Sequence, residues 1–397
     1  MCGICGELRF DGQAADLTAL GRMMDALARR GPDHGGSFSD GHLALGHRRL
    51  AIIDLSASAD QPMHDAELKL ALVFNGTLYN YRELRRELVG LGYRFFSDGD
   101  SEVILKAYHA WGEACLERFD GMFAFAIWDL GQHRLFLARD RFGIKPLYLT
   151  RNDRRLRFAS SLPALLASGD VAQELDPVGL QLQFTLHGAV PAPHTPLIAV
   201  QKLPPAHYLR VDANGHALTR PYWRLEARRP ATPGSEAEQL DALRAKLEAA
   251  VARQHMAADV PVGVLLSGGL DSSLLVALLA QRGAREIPTF SIGFQDQPEE
   301  KGDEFHYSDL VARRFGTRHH RYLLPDSEVL QALPEAIAAM AEPMFSQDNV
   351  AFYLLAREVK KEVKVVLSGQ GADEVFGGYF WYPRMAAEPD SLPPLER

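Results

Sequence analysis

With 397 residues, 47% of them hydrophobic and 24% charged, the chain has the make-up of an ordinary globular protein with room for two cores. A net charge of -8 argues against nucleic acid as the main partner, because phosphate binding needs a basic face. Three cysteines (Cys2, Cys5, Cys115) make neither a disulfide framework nor a zinc site, and with no signal-peptide pattern or membrane-length apolar run the chain reads as cytoplasmic, with no membrane partner.

The chain opens Met1-Cys2-Gly3-Ile4-Cys5-Gly6. Removal of Met1 leaves Cys2 with a nucleophilic thiol and a free α-amine on one residue. Ordinary pKa values of about 8.5 for the thiol and about 8 for the amine let the amine take a proton near neutrality. That is the logic of an N-terminal nucleophile, which needs no histidine as its base. On Cys2 alone, a small buried residue opening a first strand is the simpler reading.

Leu8–Phe10 extends that strand, and Leu17, Leu20, Met24 and Leu27 have the spacing of a helix core face. Arg30-Gly31-Pro32-Asp33-His34-Gly35-Gly36 reads as a loop, with His34 incidental to it. Leu43–Asp54 reads as a strand with Arg49 in its middle. A guanidinium inside an apolar run must find an anion or water, and its planar fork suits an amino-acid carboxylate. Leu68–Phe74 reads as a strand ending in Asn75-Gly76. Gly76 permits close backbone approach and the Asn75 amide can donate to an oxyanion, although a hairpin turn is the plainer reading of Asn-Gly. Helices are expected over Tyr81–Val89 and Glu102–Trp111, with Asp100 as N-cap of the second. Phe123–Trp128 and Arg134–Ala138 have hairpin grammar, and the basic run Arg151–Arg157 reads as a solvated turn between strands.

MCGICG, RGPD, HRRLAIID, the NG of FNGTLYN, GDSE and RDRFGIKPLY follow one another through this half. Together they resemble the glutaminase domain of the class II glutamine amidotransferases. The resemblance implies an α+β, αββα fold of the N-terminal-nucleophile kind, with Cys2 as nucleophile and Asn75 and Gly76 as oxyanion hole. It also implies that glutamine is held by Arg49 at its α-carboxylate, with Leu50, Ala51, Ile52 and Ile53 alongside, and by Asp100 at its α-ammonium. Thr77 departs from the glutamate usual in asparagine synthetases, which weakens one contact near that ammonium.

Val190–Pro196 and Leu203-Pro204-Pro205 read as extended, turn-rich backbone, and Arg228–Ser235 as a linker. A helix over Glu238–Val251 and an apolar run over Val260–Leu266 precede Ser267-Gly268-Gly269-Leu270-Asp271-Ser272-Ser273 and a helix over Leu274–Arg282. Strand, Gly-rich turn and helix aim backbone N–H groups at phosphate, and the absence of Gly-Lys-Ser/Thr excludes a Walker loop. Strands over Ile287–Gly293, His319–Leu324 and Val363–Leu367 alternate with helical runs at Ser308–Phe315, Leu333–Met340 and Val350–Val359. The alternation implies an α/β doubly wound parallel sheet with ligands at the carboxyl ends of its strands. Asp271 and Asp373, near two of those ends, are hard oxygen donors suited to Mg²⁺, or else only a helix cap and a turn residue.

SGGLDSS resembles the pyrophosphate-binding PP-loop of enzymes that split ATP between its α- and β-phosphates. This half is similar to the synthetase domain of the glutamine-hydrolysing asparagine synthetases, where an acceptor carboxylate becomes an acyl-adenylate and ammonia displaces AMP. The resemblance implies ATP at Leu265, Ser267, Gly268, Gly269, Asp271, Ser272, Ile292, Ser368 and Gly369, with Mg²⁺ on Asp271 and Asp373. Gln370 stands at an adenylate-forming position usually held by glutamate. SGQGADEVFGGY, WYP and the segment Glu342–Asn349 are similar to the branch that amidates N-acetylglutaminylglutamine, so the acceptor is that compound or aspartate.

The expected organisation is a glutaminase domain over 2–220, a linker over 221–236 and an ATP-binding domain over 237–397. A homodimer is compatible with the family. Only Met385–Arg397 follows the Tyr379–Pro383 segment, so the synthetase half is expected to be incomplete at its C-terminus. Two alternatives remain: an intramolecular ligase of the β-lactam synthetase kind, and a non-catalytic glutamine- or nucleotide-binding regulatory fragment. Cys2, Arg49 and Asp100 argue against the first.

Overall fold

Strand β1 (Gly3–Arg9) is buried along nearly its whole length, so both its faces must be covered. In the computed structural model, which describes all residues except 187, 227–233, 296–304, 347 and 388–397, two layers do the covering. The described residues cluster into two units. The first is Met1–Leu240 with Met256–Asp259 and Ala332–Val350, and the second is Asp241–His255 with Val260–Gln331 and Ala351–Arg397.

In the first unit, β1 joins β2 (His34–Asp40), β3 (Leu43–Arg49), β8 (Tyr148–Arg151), β9 (Arg155–Ala159) and β10 (Gln201–Lys202) in a sheet of order β10-β8-β9-β1-β3-β2. A second sheet contains β4 (Met63–Asp65), β5 (Leu70–Leu78), β6 (Gly121–Asp129), β7 (Arg134–Arg139), β11 (His207–Asp212) and β12 (Ala217–Pro221), in the order β12-β11-β7-β6-β5-β4. Ile4, Leu8, Leu43 and Leu45 of the first sheet form one core with Val73, Ala126, Trp128 and Leu137 of the second. The alternating residues of β5, Leu72 and Phe74, pack instead with the helices Tyr81–Gly90 and Asp100–Trp111. The helices Leu17–Ala26 and Leu162–Ala167 cover the far face of the first sheet. The result is the αββα arrangement.

Five local readings of the sequence need correction. The basic run Arg151–Arg157 is not one solvated turn: Arg151 ends β8, Arg155–Arg157 belong to β9, and Arg157 is 1% exposed. Strand β5 does not stop at Phe74; it runs through Asn75 and Gly76 to Leu78, paired with β6. A Cβ on Gly76 would lie 2.2 Å from the Met122 carbonyl oxygen, so the glycine serves close strand packing and not a turn. The expected loop over 30–36 is strand from His34 onward, and a Cβ on Gly36 would lie 2.4 Å from the Gln61 carbonyl oxygen. Strand β3 ends at Arg49, leaving 50–54 irregular, and Asp100 is the first helical residue, with Gly99 at the cap.

The second unit carries β13 (Val262–Leu265), β14 (Pro288–Phe294), β15 (Arg318–Leu324) and β16 (Val365–Leu367), all parallel, in the order β15-β14-β13-β16. β13 has β14 on one side and β16 on the other, so the strand order reverses at β13 and opens a crevice at its carboxyl end. Of the expected linker, residues 228–233 lie outside the described residues. Ser235 caps the Glu236–Ala257 helix in a capping box with Glu238.

Candidate active sites

The antiparallel register that sets Gly3 opposite Arg48 brings Cys2 and Arg49 to the same end of the first sheet. The Leu50 N–H donates to the Cys2 sulfur at 3.3 Å, and the thiol faces the Leu50 carbonyl at 3.7 Å. Cys2, Arg49, Leu50, Ile52, Ile53, Gly76 and Asp100 line one cavity of about 30 Å³. It has room for roughly two waters. Ala51, Asn75 and Thr77 do not line it: the Ala51 N–H donates to Asp33 at 2.8 Å, and Asn75 and Thr77 are buried within β5.

Asn75 shares its strand face with Val73, towards the space between the sheets. It is 1% exposed, and neither its amide oxygen nor its amide nitrogen has a hydrogen-bond partner. A buried polar group left unmet costs about 1–3 kcal/mol, and the Asn75 amide carries that cost with its donor uncommitted.

The titrating groups are set by burial. Burial raises the Cys2 thiol. It lowers the Met1 ammonium to about 6, with the charges of Arg30 and Lys145 acting in the same direction. Arg30 donates through Nε to the Cys2 carbonyl at 3.1 Å, and Lys145, itself lowered to about 8 by burial, reaches the Met1 sulfur at 3.0 Å. Neither cation stood out by itself in the sequence; the signal was their place in RGPD and RDRFGIKPLY.

Asp100 accepts the Leu78 N–H at 2.9 Å, yet burial outweighs that bond and pushes its carboxyl up to about 6. The usual carboxylate effect is therefore reversed. The folded value lies above the unfolded value of about 3.9, so Asp100 favours folding most at low pH, and that contribution is lost as pH rises through about 6. Asp100→Asn is expected to stabilise the protein by about 2–3 kcal/mol at pH 7.5 and hardly at all near pH 4. Thermal melts at the two pH values check this, and an equal shift at both would overturn it.

The crevice of the second unit is a cavity of about 320 Å³. Leu265, Ser267, Gly269, Asp271, Ser272, Ile292, Ser368, Gly369, Gln370 and Asp373 all line it. Gly268 stands just behind them with φ +94°, and a Cβ there would lie 2.5 Å from the Ser308 nitrogen. The loop holds its own shape: the Ser267 hydroxyl accepts the Gly269 N–H at 3.2 Å and lies 3.1 Å from the Ser272 hydroxyl. A Cβ on Gly369 would lie 2.9 Å from that of Asp271, so the two loops meet at a residue without a side chain. Phe290, Phe352 and Tyr379 add aromatic walls, of which only Tyr379 lay in a motif.

Among the described residues no group of three or more His, Cys, Asp or Glu could hold a metal ion by itself. Two carboxylates in a cavity fit Mg²⁺, which is bound through one or two carboxylates together with substrate phosphates. Of the segment 342–349, in which residue 347 is not described, no described residue lines this cavity. Glu342 instead pairs with the buried Lys202 at 2.8 Å within the first unit.

Residues 1–223 match the family profile described as Glutamine amidotransferase domain, and residues 242–396 match Asparagine synthase. Asparagine synthetase [glutamine-hydrolyzing] 3 of Bacillus subtilis is 34% identical, over 96% of this chain and 64% of that protein. A putative asparagine synthetase [glutamine-hydrolyzing] of Mycobacterium bovis is 38% identical, over 100% of this chain and 62% of that one. Putative asparagine synthetase [glutamine-hydrolyzing] 2 of Methanocaldococcus jannaschii is 34% identical, over 96% of this chain and 76% of its own length. The chain thus spans less than two thirds of the first two relatives.

Proposed function

The chain belongs to the family of glutamine-hydrolysing asparagine synthetases, and from that premise we propose that it couples glutamine hydrolysis at Cys2 to ATP-driven amide formation on an acceptor carboxylate. The observation that carries this is the meeting of Cys2, Arg49, Gly76 and Asp100 round one cavity. In this reading Arg49 holds the α-carboxylate of glutamine, beside the backbone of Leu50–Ile53, and ionised Asp100 holds the α-ammonium. Asp100 must lose its proton to do so, which costs glutamine affinity below about pH 6.

The Cys2 thiol gives its proton to its own α-amine while the sulfur bonds to the side-chain amide carbon. The oxyanion formed is met by the Asn75 amide and the Gly76 backbone, the proton passes to the leaving nitrogen, and ammonia departs. Water then hydrolyses the thioester to glutamate and restores the thiol.

At the second site the acceptor carboxylate attacks the α-phosphorus of ATP, pyrophosphate leaves, and ammonia displaces AMP from the acyl-adenylate. The SGGLDSS backbone faces the phosphates, with Leu265 and Ile292 towards adenine. Ser368 and Gly369 touch the nucleotide, and Gln370 stands where the adenylate forms. Asp271 and Asp373 would hold Mg²⁺, which when bound neutralises phosphate charge. The acceptor is aspartate or N-acetylglutaminylglutamine. We place the glutaminase in 2–220 and the ATP-binding part in 237–397.

Glutamate release from glutamine by the purified chain is the first test. Asn75→Ala is expected to lower kcat by about 10²–10³ with little change in KM, because its amide bonds only the developing oxyanion. No glutamate release by the unsubstituted chain would overturn the proposal.

A further inference from the structure

The guanidinium proposed to receive the glutamine carboxylate already has both terminal nitrogens bonded within the protein. Arg49 donates through Nη1 to the Ser56 carbonyl at 2.9 Å and to Asp60 Oδ1 at 2.6 Å. Through Nη2 it donates to the carbonyls of Ile53, at 3.4 Å, and Asp54. Its two terminal nitrogens carry four hydrogens, and four acceptors of the protein itself take them. Three of the four are backbone carbonyls close behind Arg49 in sequence, which hold the fork in place. The fourth is a carboxylate, the same chemical group as the ligand.

Asp60 also sits where its movement would matter. It follows the single turn Ala57–Ala59, and its neighbours in sequence, Ala59 and Gln61, both line the Cys2 cavity. Gln61 is anchored, since its side-chain oxygen accepts the Phe74 N–H at 2.6 Å. Asp60 is one quarter exposed and has a second partner in reach, His34 Nδ1 at 3.6 Å on the neighbouring strand.

Resting on the glutaminase reading above, we propose that Asp60 is a resident competitor that sets the glutamine KM: a carboxylate that occupies Arg49 and is displaced by the α-carboxylate of the incoming glutamine. Displacement moves Ala59 away from the cavity and leaves Asp60 beside His34. Only a ligand whose own carboxylate replaces the lost ion pair opens the site at no net electrostatic loss. Ligands without that carboxylate bind with Asp60 in place.

Breaking the Asp60–Arg49 pair draws on glutamine binding, so its removal lowers KM. With glutamine as substrate, Asp60→Asn is expected to reduce KM by about three- to thirtyfold, with kcat retained. With 4-aminobutanamide, which keeps the amide and the ammonium but lacks the carboxylate, the same substitution leaves kcat/KM within about twofold, because nothing there competes for Arg49. Asp60→Glu, which keeps the charge, should hold the glutamine KM near its original value. An unchanged or raised glutamine KM in Asp60→Asn, or equal shifts with both substrates, overturns the displacement and makes Asp60 a mere support of the loop. An unsubstituted chain that releases no glutamate overturns the glutaminase reading and this inference together.

Discussion

Cys2→Ala is expected to lower glutamate release by more than about a thousandfold while leaving nucleotide binding at the second site unchanged. The size follows from what is lost. Burial keeps the Cys2 thiol protonated at neutral pH, so attack on an amide depends on a base within reach. The base proposed is the α-amine of the same residue, which exists only after Met1 is removed. While Met1 remains, the terminal amine belongs to the wrong residue, and the Met1 sulfur takes up the Lys145 ammonium. Protein that keeps Met1 should therefore be as inactive as Cys2→Ala. Mass spectrometry of the N-terminus beside a glutamate assay separates the forms. Full activity in protein that retains Met1 would remove the amine from the mechanism.

What could be read from the chain followed from how locally each feature is encoded. The core spacing of Leu20 and Leu27 and the paired apolar runs of β6 and β7 are periodic over one element, and the structure keeps them. β2 was missed because its residues His34–Asp40 are half exposed and rich in glycine and serine, so no apolar alternation marks them. The helix Pro177–Thr185 did carry a signal, since Asp176 caps it and Pro177 takes its first position. Partnerships across long stretches left no local trace. Glu7 and Arg157 are both buried and bonded to one another at the core of the first sheet, and neither has a sequence neighbour that announces it. The same is true of Asp60 on Arg49 and of Glu342 on Lys202. Arg49 itself could be marked as needing an anion; which anion waits there could not. The motif residues of the two cavities fared better because glycine-bearing loops at strand ends are short and contiguous, whereas Phe352 arrives on a helix with nothing but its apolarity to mark it.

In a chain that is synthetase-competent, Asp271→Asn is expected to weaken nucleotide-dependent formation of AMP and pyrophosphate by more than about a hundredfold, and to spare glutamate release. Asp271 lies in the first turn of the Leu270–Gln281 helix, whose positive end already favours phosphate, so a carboxylate there works against direct phosphate binding. It becomes favourable only when a cation stands between them. Asp373, in the first turn of the Ala372–Phe376 helix, lines the same cavity from the loop that follows β16. The neutral amide keeps the size of the side chain and removes the charge that Mg²⁺ needs. Nucleotide affinity measured with and without Mg²⁺ gives the sign. In the unsubstituted protein Mg²⁺ should tighten ATP binding strongly, and in Asp271→Asn the metal should make little difference. If Asp271 were only a helix-end residue, Asn would be an equal replacement and the Mg²⁺ dependence would survive intact. Release of ADP and phosphate in place of AMP and pyrophosphate would show instead that the loop does not hold pyrophosphate as the leaving group.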